Sequence, residues 1–231
     1  MTPGLANKIC IPFATKVCCN FPETVSQLPA DKAVLTGTPI RQELLTGSKE
    51  NGLKFTGFSS DKPVILIIGG SLGATAVNQA VRAILPNLLQ DFQVVHLCGK
   101  GKLDENLKDT KGYVQYEYIK KELADLFALA DIVISRAGAN AICELSALNK
   151  PNLLIPLSAR ASRGDQILNA RSFEHLGYSK VLEEEEITNE SLLDAVYDLY
   201  KNRETYITAM SSSRHKNSIE QIVQLFEKAV N

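Results

Sequence analysis

From Pro63 onward, short runs of apolar and mostly β-branched residues alternate with amphipathic segments. This alternation is typical of stacked βαβ units, in which each strand is followed by a helix that packs back onto the sheet. Several of the runs are apolar at consecutive positions, as expected for strands that helices cover on both faces. The sequence therefore predicts an α/β fold around a parallel, Rossmann-like sheet of six strands.

The predicted elements follow one another closely along the chain. The six strands are Val64 to Ile68, Gln93 to Leu97, Tyr113 to Tyr118, Asp131 to Ser135, Asn152 to Pro156 and Ser179 to Leu182. Apolar residues at i, i+3, i+4 spacing predict helices at Ala74 to Gln90, Lys121 to Ala130, Ala139 to Leu148 and Asp165 to Leu176. After Glu186 the pattern changes to an acidic-capped helix beginning near Thr188, followed by two more helical stretches.

The beginning of the chain lacks this regular pattern. It predicts a helix from Pro3 to Ala14, short strands at Lys16 to Phe21 and Ala33 to Thr36, and a loose linker near Gly47 to Asp61. We therefore expect three parts: residues 1–60 as the remnant of a preceding domain with an interdomain linker, residues 61–186 as the ligand-binding domain, and residues 187–231 as a helical tail.

Charge and cysteine content exclude several classes of protein. The chain has 25 basic and 26 acidic residues, a balance that disfavours nucleic acid as a partner. The five cysteines form no CxxC pair and lie mostly in apolar runs, which predicts buried thiols in a reducing cytosol rather than metal ligands. No window approaches the roughly 18 apolar residues of a spanning helix. We expect a cytosolic protein, for which contact with a membrane surface stays open.

A glycine-rich turn, Gly69-Gly70-Ser71-Leu72-Gly73-Ala74, follows the strand that begins at Val64. Glycines allow a sharp turn, and backbone N–H groups at the start of the next helix can face a ligand oxygen. The following strand ends without a carboxylate, and no Lys-Ser or Lys-Thr follows the glycines, which disfavours a nicotinamide site and a Walker motif. A tight turn without any ligand stays an alternative.

A second turn of small residues runs Arg136-Ala137-Gly138-Ala139-Asn140, directly after the strand ending at Ser135. Its small side chains leave the start of the next helix uncovered, so free N–H groups and the positive end of the helix dipole can meet phosphate oxygens. Glu144 lies a little over one turn into this helix, where its carboxylate can accept two hydrogen bonds from a ribose diol. The alternative for Glu144 is an ordinary solvated helix residue.

A third loop follows Pro156 and ends where Gly164-Asp165-Gln166 opens a helix. Gln166 has donor and acceptor groups on one planar head, which suits pairs of sugar hydroxyls. Asp165 or Ser162 can equally serve as a helix cap. In open α/β sheets, ligands lie beyond the carboxyl ends of the strands, and all three loops emerge there. Their shared location is stronger evidence for a ligand site than any one of the loops.

In this order, the motifs resemble those of the MurG family, which transfers N-acetylglucosamine (GlcNAc) in peptidoglycan synthesis. The matching stretches are Thr2-Pro3-Gly4-Leu5-Ala6-Asn7-Lys8, Thr36-Gly37-Thr38-Pro39-Ile40-Arg41, Gly69-Gly70-Ser71-Leu72-Gly73-Ala74, Arg136-Ala137-Gly138-Ala139 with Glu144, and Gly164-Asp165-Gln166 with Asn169-Ala170. Each stretch is weak alone, but the ordered set is specific and spans most of the chain. The resemblance implies a GT-B transferase, in which two Rossmann-like domains face a cleft and residues 61–186 of this chain bind the donor UDP-GlcNAc.

The resemblance also implies roles for individual residues. Ala139, Asn140 and Ala141 would contact the diphosphate, Glu144 the ribose, Gln166 the GlcNAc hydroxyls, Arg41 and Ser71 the diphosphate region, and the backbone of Ile119 the uracil edge. The implied reaction inverts the anomeric centre while moving GlcNAc to undecaprenyl-pyrophosphoryl-muramoyl-peptide, converting lipid I to lipid II. It needs a base for the acceptor hydroxyl and stabilisation of the departing diphosphate. Helix N-termini can supply the second without a metal or other cofactor.

The chain departs from the family at its start, where the glycine-rich loop and histidine of the family's N-terminal domain have no counterpart. We therefore expect the acceptor site and the catalytic base outside this chain, an inactive isolated chain, and peripheral association with the inner face of the cell membrane. His96, His175 and His215 match no catalytic position of the family and are expected to be structural or surface residues. The alternatives are the donor-binding module of a split two-chain GlcNAc transferase and a UDP-GlcNAc epimerase-like protein.

Overall fold

The chain forms two compact units in the computed structural model, which describes residues 3–70, 73–161, 164–211 and 218–230. One unit comprises Met1–Ile40 with Ser212–Asn231, and the other comprises Arg41–Ser211. The sequence-based division into domains at residues 60 and 186 stays a prediction. The boundaries of the compact units lie elsewhere along the chain, after Ile40 and after Ser211.

The smaller unit contains a short two-stranded parallel sheet. Its first elements are α1 (Leu5–Cys10), β1 (Val17–Cys19), α2 (Pro22–Val25) and β2 (Ala33–Leu35). The last helix of the chain, Ser218–Val230, belongs to the same unit, and the Ser218 hydroxyl donates to the Thr38 carbonyl at 2.7 Å. The early helix and the two strands predicted from the sequence are confirmed, although each is shorter than predicted.

The cysteines are buried only in part. Cys10 and Cys18 are exposed, whereas Cys19, Cys98 and Cys143 are buried. The prediction of buried thiols is therefore wrong for Cys10 and Cys18. Both lie on the short elements of the smaller unit, where α1 has no buried residue.

The larger unit is a parallel sheet with helices on both faces. Its elements are α3 (Lys49–Thr56), β3 (Val64–Ile68), α4 (Thr75–Asp91), β4 (Gln93–Leu97), β5 (Tyr113–Tyr116), α5 (Leu123–Leu129), β6 (Ile132–Ser135), α6 (Ala139–Ala147), β7 (Asn152–Leu154), α7 (Asp165–His175), β8 (Lys180–Val181), α8 (Asn189–Lys201) and α9 (Arg203–Ser211). The six predicted strands are confirmed, as are the four predicted helices between them. Within the described ranges, no helix is both long and apolar enough to cross a bilayer.

The strand order places a topological switch point between β3 and β6. The order is β5-β4-β3-β6-β7-β8, with every neighbouring pair parallel. Ile68 and Ser135, which end β3 and β6, are register partners, and Ser135 is also the partner of Leu154. The loops that follow β3, β6 and β7 therefore leave the same edge of the sheet side by side. In sheets of this order, ligands bind in the crevice at the switch point.

Both faces of the sheet are apolar, which explains the consecutive apolar positions in the strands. Ile65 and Ile67 lie in a buried cluster with residues of α4 and α8, whereas Val64 and Leu66 lie in a second cluster with residues of α5. Successive side chains of a strand point to opposite faces, so β3 contributes to both clusters. This double burial fixes the register of the central strand, from which the first glycine-rich loop departs.

The predicted loose linker from Gly47 to Asp61 is wrong, because Lys49–Thr56 forms α3. The Ser48 side chain caps this helix by accepting from the Asn51 N–H, and the Ser48 N–H donates to Asp125 of α5 at 2.7 Å. Gly52 lies so close to α5 that an added Cβ would be 2.8 Å from the Leu129 Cβ. Gly52 therefore allows α3 and α5 to pack closely and does not mark a flexible segment.

His96 lies in a buried polar network on β4, as the expectation of a structural role requires. Its Nε2 is 3.0 Å from the Asn78 amide oxygen and its Nδ1 is 3.0 Å from the Tyr113 hydroxyl. The Asn78 amide nitrogen donates to the Cys98 carbonyl at 2.8 Å, which leaves its oxygen to accept from a protonated Nε2. Burial lowers the pKa of His96 to about 3, so the ring is neutral in the folded protein.

The buried His96 predicts a loss of stability in mild acid. The unfolded chain takes up a proton on this ring as the pH falls below its ordinary pKa of 6.5, whereas the folded chain does so only near pH 3. The stabilisation is thus complete above pH 6.5 and is lost progressively toward pH 3. We expect the free energy of unfolding to fall by about 2 kcal/mol because of His96 when the pH is lowered from 7 to about 5. Urea titrations of the wild type and His96→Gln check this, and equal pH slopes in the two proteins would contradict it.

Candidate functional site

The start of α6 presents three open backbone donors at the switch point. Gly138 is the N-cap residue. Its backbone is extended, and glycine has no side chain that could cap the helix. No described residue accepts a hydrogen bond from the N–H groups of Ala139, Asn140 or Ala141, since the first ladder bond runs from Ile142 to the Gly138 carbonyl. The first turn also contains no acidic residue. The positive end of this helix is therefore available to an anion.

The loop before α6 is held rigidly by groups that do not face a ligand. The Arg136 guanidinium donates to the carbonyls of Ile155 and Pro156 at 3.1 Å each and forms an ion pair with Glu184. The Asn169 amide of α7 donates to the Ala137 carbonyl at 3.0 Å. Arg136 thus anchors the loop. Its positive charge, which the motif would place near a phosphate, is already neutralised by Glu184. Sequence reasoning missed this anchoring because the partner carboxylate lies in a distant segment.

The loop after β3 is also closely constrained where it is described. Gly73 has a positive φ of 66° and passes so near the end of β4 that an added Cβ would be 1.9 Å from the Cys98 carbonyl oxygen. Ala74, the N-cap residue of α4, offers no side-chain cap, and the first turn of α4 contains no acidic residue. A second uncapped helix start therefore lies beside the first. Ser71 falls outside the described residues, so its proximity to the diphosphate stays a prediction.

Arg41 and Glu144 lie together although 103 residues separate them in sequence. The guanidinium donates from Nε to one carboxylate oxygen at 2.9 Å and from Nη2 to the other at 3.2 Å. The hydrogen bond that Arg41 donates to Glu144 raises the pKa of Arg41. The Glu144 side chain is only 16% exposed, which excludes the solvated helix residue considered as its alternative. Arg41 occupies one acceptor position on each oxygen, so the carboxylate keeps further acceptor positions for a ligand, and the Arg41 side chain itself is 47% exposed.

Gln166 lies at the second position of α7, beside the loop that follows β7. Its amide oxygen accepts from the Leu157 N–H at 3.1 Å, and no described residue accepts from its amide nitrogen. Gly164, with a positive φ of 78°, is the N-cap residue of α7. The interpretation of Asp165 as the cap is therefore wrong, and Asp165 is an exposed residue in the first turn. Gln166 retains two amide hydrogens for a ligand.

Ile119 follows β5 and joins the apolar core through its side chain. The residue is 6% exposed and packs in the cluster that contains Leu44 and Leu126. No described residue forms a hydrogen bond with its backbone N–H or carbonyl. The buried side chain fixes the direction of this backbone edge, which is the group expected to recognise a uracil.

The arrangement brings together groups whose chemistry suits an anion joined to polyhydroxyl groups. Two uncapped helix starts meet at the switch point, a carboxylate lies one turn into α6, and an amide donor lies at the start of α7. Among the residues that the structure describes, no three His, Cys, Asp or Glu side chains are grouped so as to hold a metal ion. His175 lies exposed in the last turn of α7, and His215 falls outside the described residues.

Comparison with known proteins agrees with this architecture. Residues 64–226 match the model of the glycosyltransferase family 28 C-terminal domain. A protein of Lachnoclostridium phytofermentans named UDP-N-acetylglucosamine–N-acetylmuramyl-(pentapeptide) pyrophosphoryl-undecaprenol N-acetylglucosamine transferase is 64% identical over 99% of this chain. A Clostridium botulinum protein with the same name is 57% identical over 99% of the chain. The chain spans 64% of the length of both relatives.

Solved structures show the same fold. The crystal structure of MurG from Acinetobacter baumannii superposes with a TM-score of 0.73 at 25% identity, covering 98% of this chain and 64% of that protein. The glycosyltransferase of kitacinnamycin gives a TM-score of 0.72 at 16% identity, covering 94% of this chain and 55% of that protein, and supports the fold alone. The expected Rossmann-like, C-terminal domain of a GT-B transferase is confirmed. The chain belongs to glycosyltransferase family 28, and it contains the C-terminal domain of that family.

Proposed function

We propose that this chain holds the donor site of an inverting transferase that moves GlcNAc from UDP-GlcNAc to undecaprenyl-pyrophosphoryl-muramoyl-peptide in peptidoglycan synthesis. The observation that carries the proposal is the pair of uncapped helix starts at the switch point, with Glu144 one turn into α6. The names of the two relatives, which include this donor and this acceptor, support the choice of sugar and lipid.

In this proposal, the N–H groups of Ala139, Asn140 and Ala141 bind the diphosphate and Glu144 binds the ribose diol. Arg41 and Ser71 approach the diphosphate, the Ile119 backbone pairs with the uracil edge, and Gln166 donates to GlcNAc hydroxyls. Negative charge on the departing diphosphate grows as the glycosidic bond breaks. Fixed dipoles at α4 and α6 stabilise that charge without reorganising, which lowers the barrier.

The acceptor half of the reaction is assigned to a part of the enzyme that this chain does not match. The chain spans 64% of the length of its Lachnoclostridium phytofermentans relative, and the base that activates the acceptor hydroxyl is proposed to lie in the remaining part. The lipid-linked acceptor implies that the complete enzyme works at the inner face of the cell membrane, bound peripherally.

A chimaera tests the transfer reaction. The part of the Lachnoclostridium phytofermentans relative that this chain does not match is joined to this chain, and transfer of radiolabelled GlcNAc to a lipid-linked muramoyl-peptide is measured. We expect transfer from UDP-GlcNAc by the chimaera and none by the present chain alone. A chimaera that binds UDP-GlcNAc but forms no lipid product, or that prefers UDP-glucose, would contradict the proposed reaction.

A further inference from the structure

Lys102, in the loop after β4, lies at the start of α4. Its ammonium donates to the Gly73 carbonyl at 3.0 Å and to the hydroxyl of Thr75, the first residue of α4, also at 3.0 Å. These two contacts connect the loop after β4 to the glycine-rich loop after β3. An ammonium has three donors, so one remains after both contacts are made.

The backbone of Lys102 is held by part-buried hydrogen bonds that involve Arg82 of α4 and Gln115 of β5. Arg82 donates from Nη2 to the Lys102 carbonyl at 2.7 Å and to the Gln115 amide oxygen at 3.2 Å. Gln115 in turn binds both backbone groups of Asp104, with its oxygen at 2.9 Å from the N–H and its nitrogen at 2.6 Å from the carbonyl. The loop that presents Lys102 is thus held at this residue and again two residues later, unlike a freely moving surface segment.

The charge of Lys102 has no compensation at this position. Its partners at Gly73 and Thr75 are uncharged, and no carboxylate among the described residues lies within ion-pair distance of its ammonium. A cation is electrostatically unfavourable at the positive end of a helix dipole. The first turn of α4 contains no acidic residue to offset it. A fixed cation, an open donor and an uncapped helix start at one place are together suited to a dianionic group.

We propose that Lys102 contacts the diphosphate of the bound nucleotide through its third N–H while its other two donors position the glycine-rich loop. This inference rests on the proposed donor site, and it adds a residue that neither the motifs nor the expected family roles include. The Lys102 ammonium supplies the full positive charge that the neutral N–H groups of α4 and α6 lack.

The test is isothermal titration calorimetry of the full chain with UDP and with uridine at two salt concentrations. We expect Lys102→Met to weaken UDP binding about tenfold, since a hydrogen bond between charged groups is lost, and to leave uridine binding within about twofold. The affinity of the wild type for UDP should fall more steeply with salt than that of Lys102→Met. Lys102→Arg keeps the charge and should recover most of the UDP affinity. Lys108→Met, which removes an exposed lysine from the same connection between β4 and β5, is the matched control.

Each outcome decides the question. A purely structural role predicts equal losses of UDP and uridine affinity, an unchanged salt slope and a lower melting temperature, and that result would overturn the phosphate contact. Unchanged UDP affinity in Lys102→Met would overturn it as well. If the wild type binds uridine and UDP alike or binds neither, the proposed donor site itself is wrong, which separates the two failures.

Discussion

Replacing Glu144 with alanine is expected to weaken UDP binding by about a hundredfold or more. In the proposed donor site, this carboxylate accepts two hydrogen bonds from the ribose, and a hydrogen bond to a charged group contributes about 1.5–3 kcal/mol. Uridine binding should fall by the same factor, since the lost contact is to the nucleoside. Stability should change little, because the Arg41 that loses its partner is 47% exposed and can be solvated. Calorimetry with both ligands, together with a thermal melt, measures all three quantities.

Asp165→Ala is the control for Glu144→Ala. Asp165 is an exposed carboxylate in the first turn of α7, close in sequence to Gln166 but without the burial of Glu144. We expect its removal to change UDP affinity by less than about threefold, as for a surface charge. Equal losses in the two variants would count against a ribose contact at Glu144 and would reduce that carboxylate to a partner of Arg41.

Gly73→Ala is expected to give the largest loss of stability among substitutions in the site. The new Cβ would lie 1.9 Å from the Cys98 carbonyl oxygen, and the residue has a φ of 66° that L side chains disfavour. Strain and overpacking together should lower the free energy of unfolding by about 3 kcal/mol. Because the loop must move to relieve the clash, the start of α4 shifts with it. UDP affinity should therefore fall at least tenfold, which calorimetry below the melting temperature would show.

Gly101→Ala separates backbone strain from the clash. Gly101 has a φ of 71°, nearly that of Gly73, but an added Cβ would meet nothing within 4 Å. This control should lose about 1 kcal/mol, the cost of the left-handed conformation alone. If both alanine variants are destabilised equally, the close approach of the glycine-rich loop to β4 does not constrain the site.

The sheet and its loops were predictable because their determinants are local. Residues Val64 to Ile68 are apolar at every position, and a small-residue turn follows at Gly69. A second apolar strand ends at Ser135, and another turn of small residues follows from Ala137. In a parallel sheet, the loops that follow the strands leave from the same edge, where ligands bind. The shared location of these loops therefore follows from the strand predictions alone.

The helix α3 was missed because its glycines carry two different signals. Gly57 ends the helix in a left-handed conformation with a φ of 70°, as a C-terminal glycine often does. Gly47 and Gly52 instead lie against α5, where a Cβ would meet backbone or side-chain atoms closer than 3.0 Å. Sequence alone does not distinguish a glycine that permits close packing from one that breaks a helix.

The side-chain partners in the site were not predictable, because they join distant segments. Arg41 binds Glu144 across 103 residues, and Arg136 pairs with Glu184. A motif shows which charged residues are present but not which charges are already neutralised. For that reason, the sequence indicated Arg136 as part of a phosphate loop, whereas the structure shows a loop anchor, and the open donors at the start of α6 are neutral backbone groups.

Calorimetric titration of this chain with UDP and, in parallel, with NAD tests whether the loops after β3 and β6 form a UDP-GlcNAc donor site. We expect saturable binding of UDP that is abolished or strongly reduced in Glu144→Ala, with no detectable binding of NAD. Absence of UDP binding by the wild type, or tighter binding of NAD than of UDP, would contradict the assignment of a UDP-GlcNAc donor site to the loops after β3 and β6.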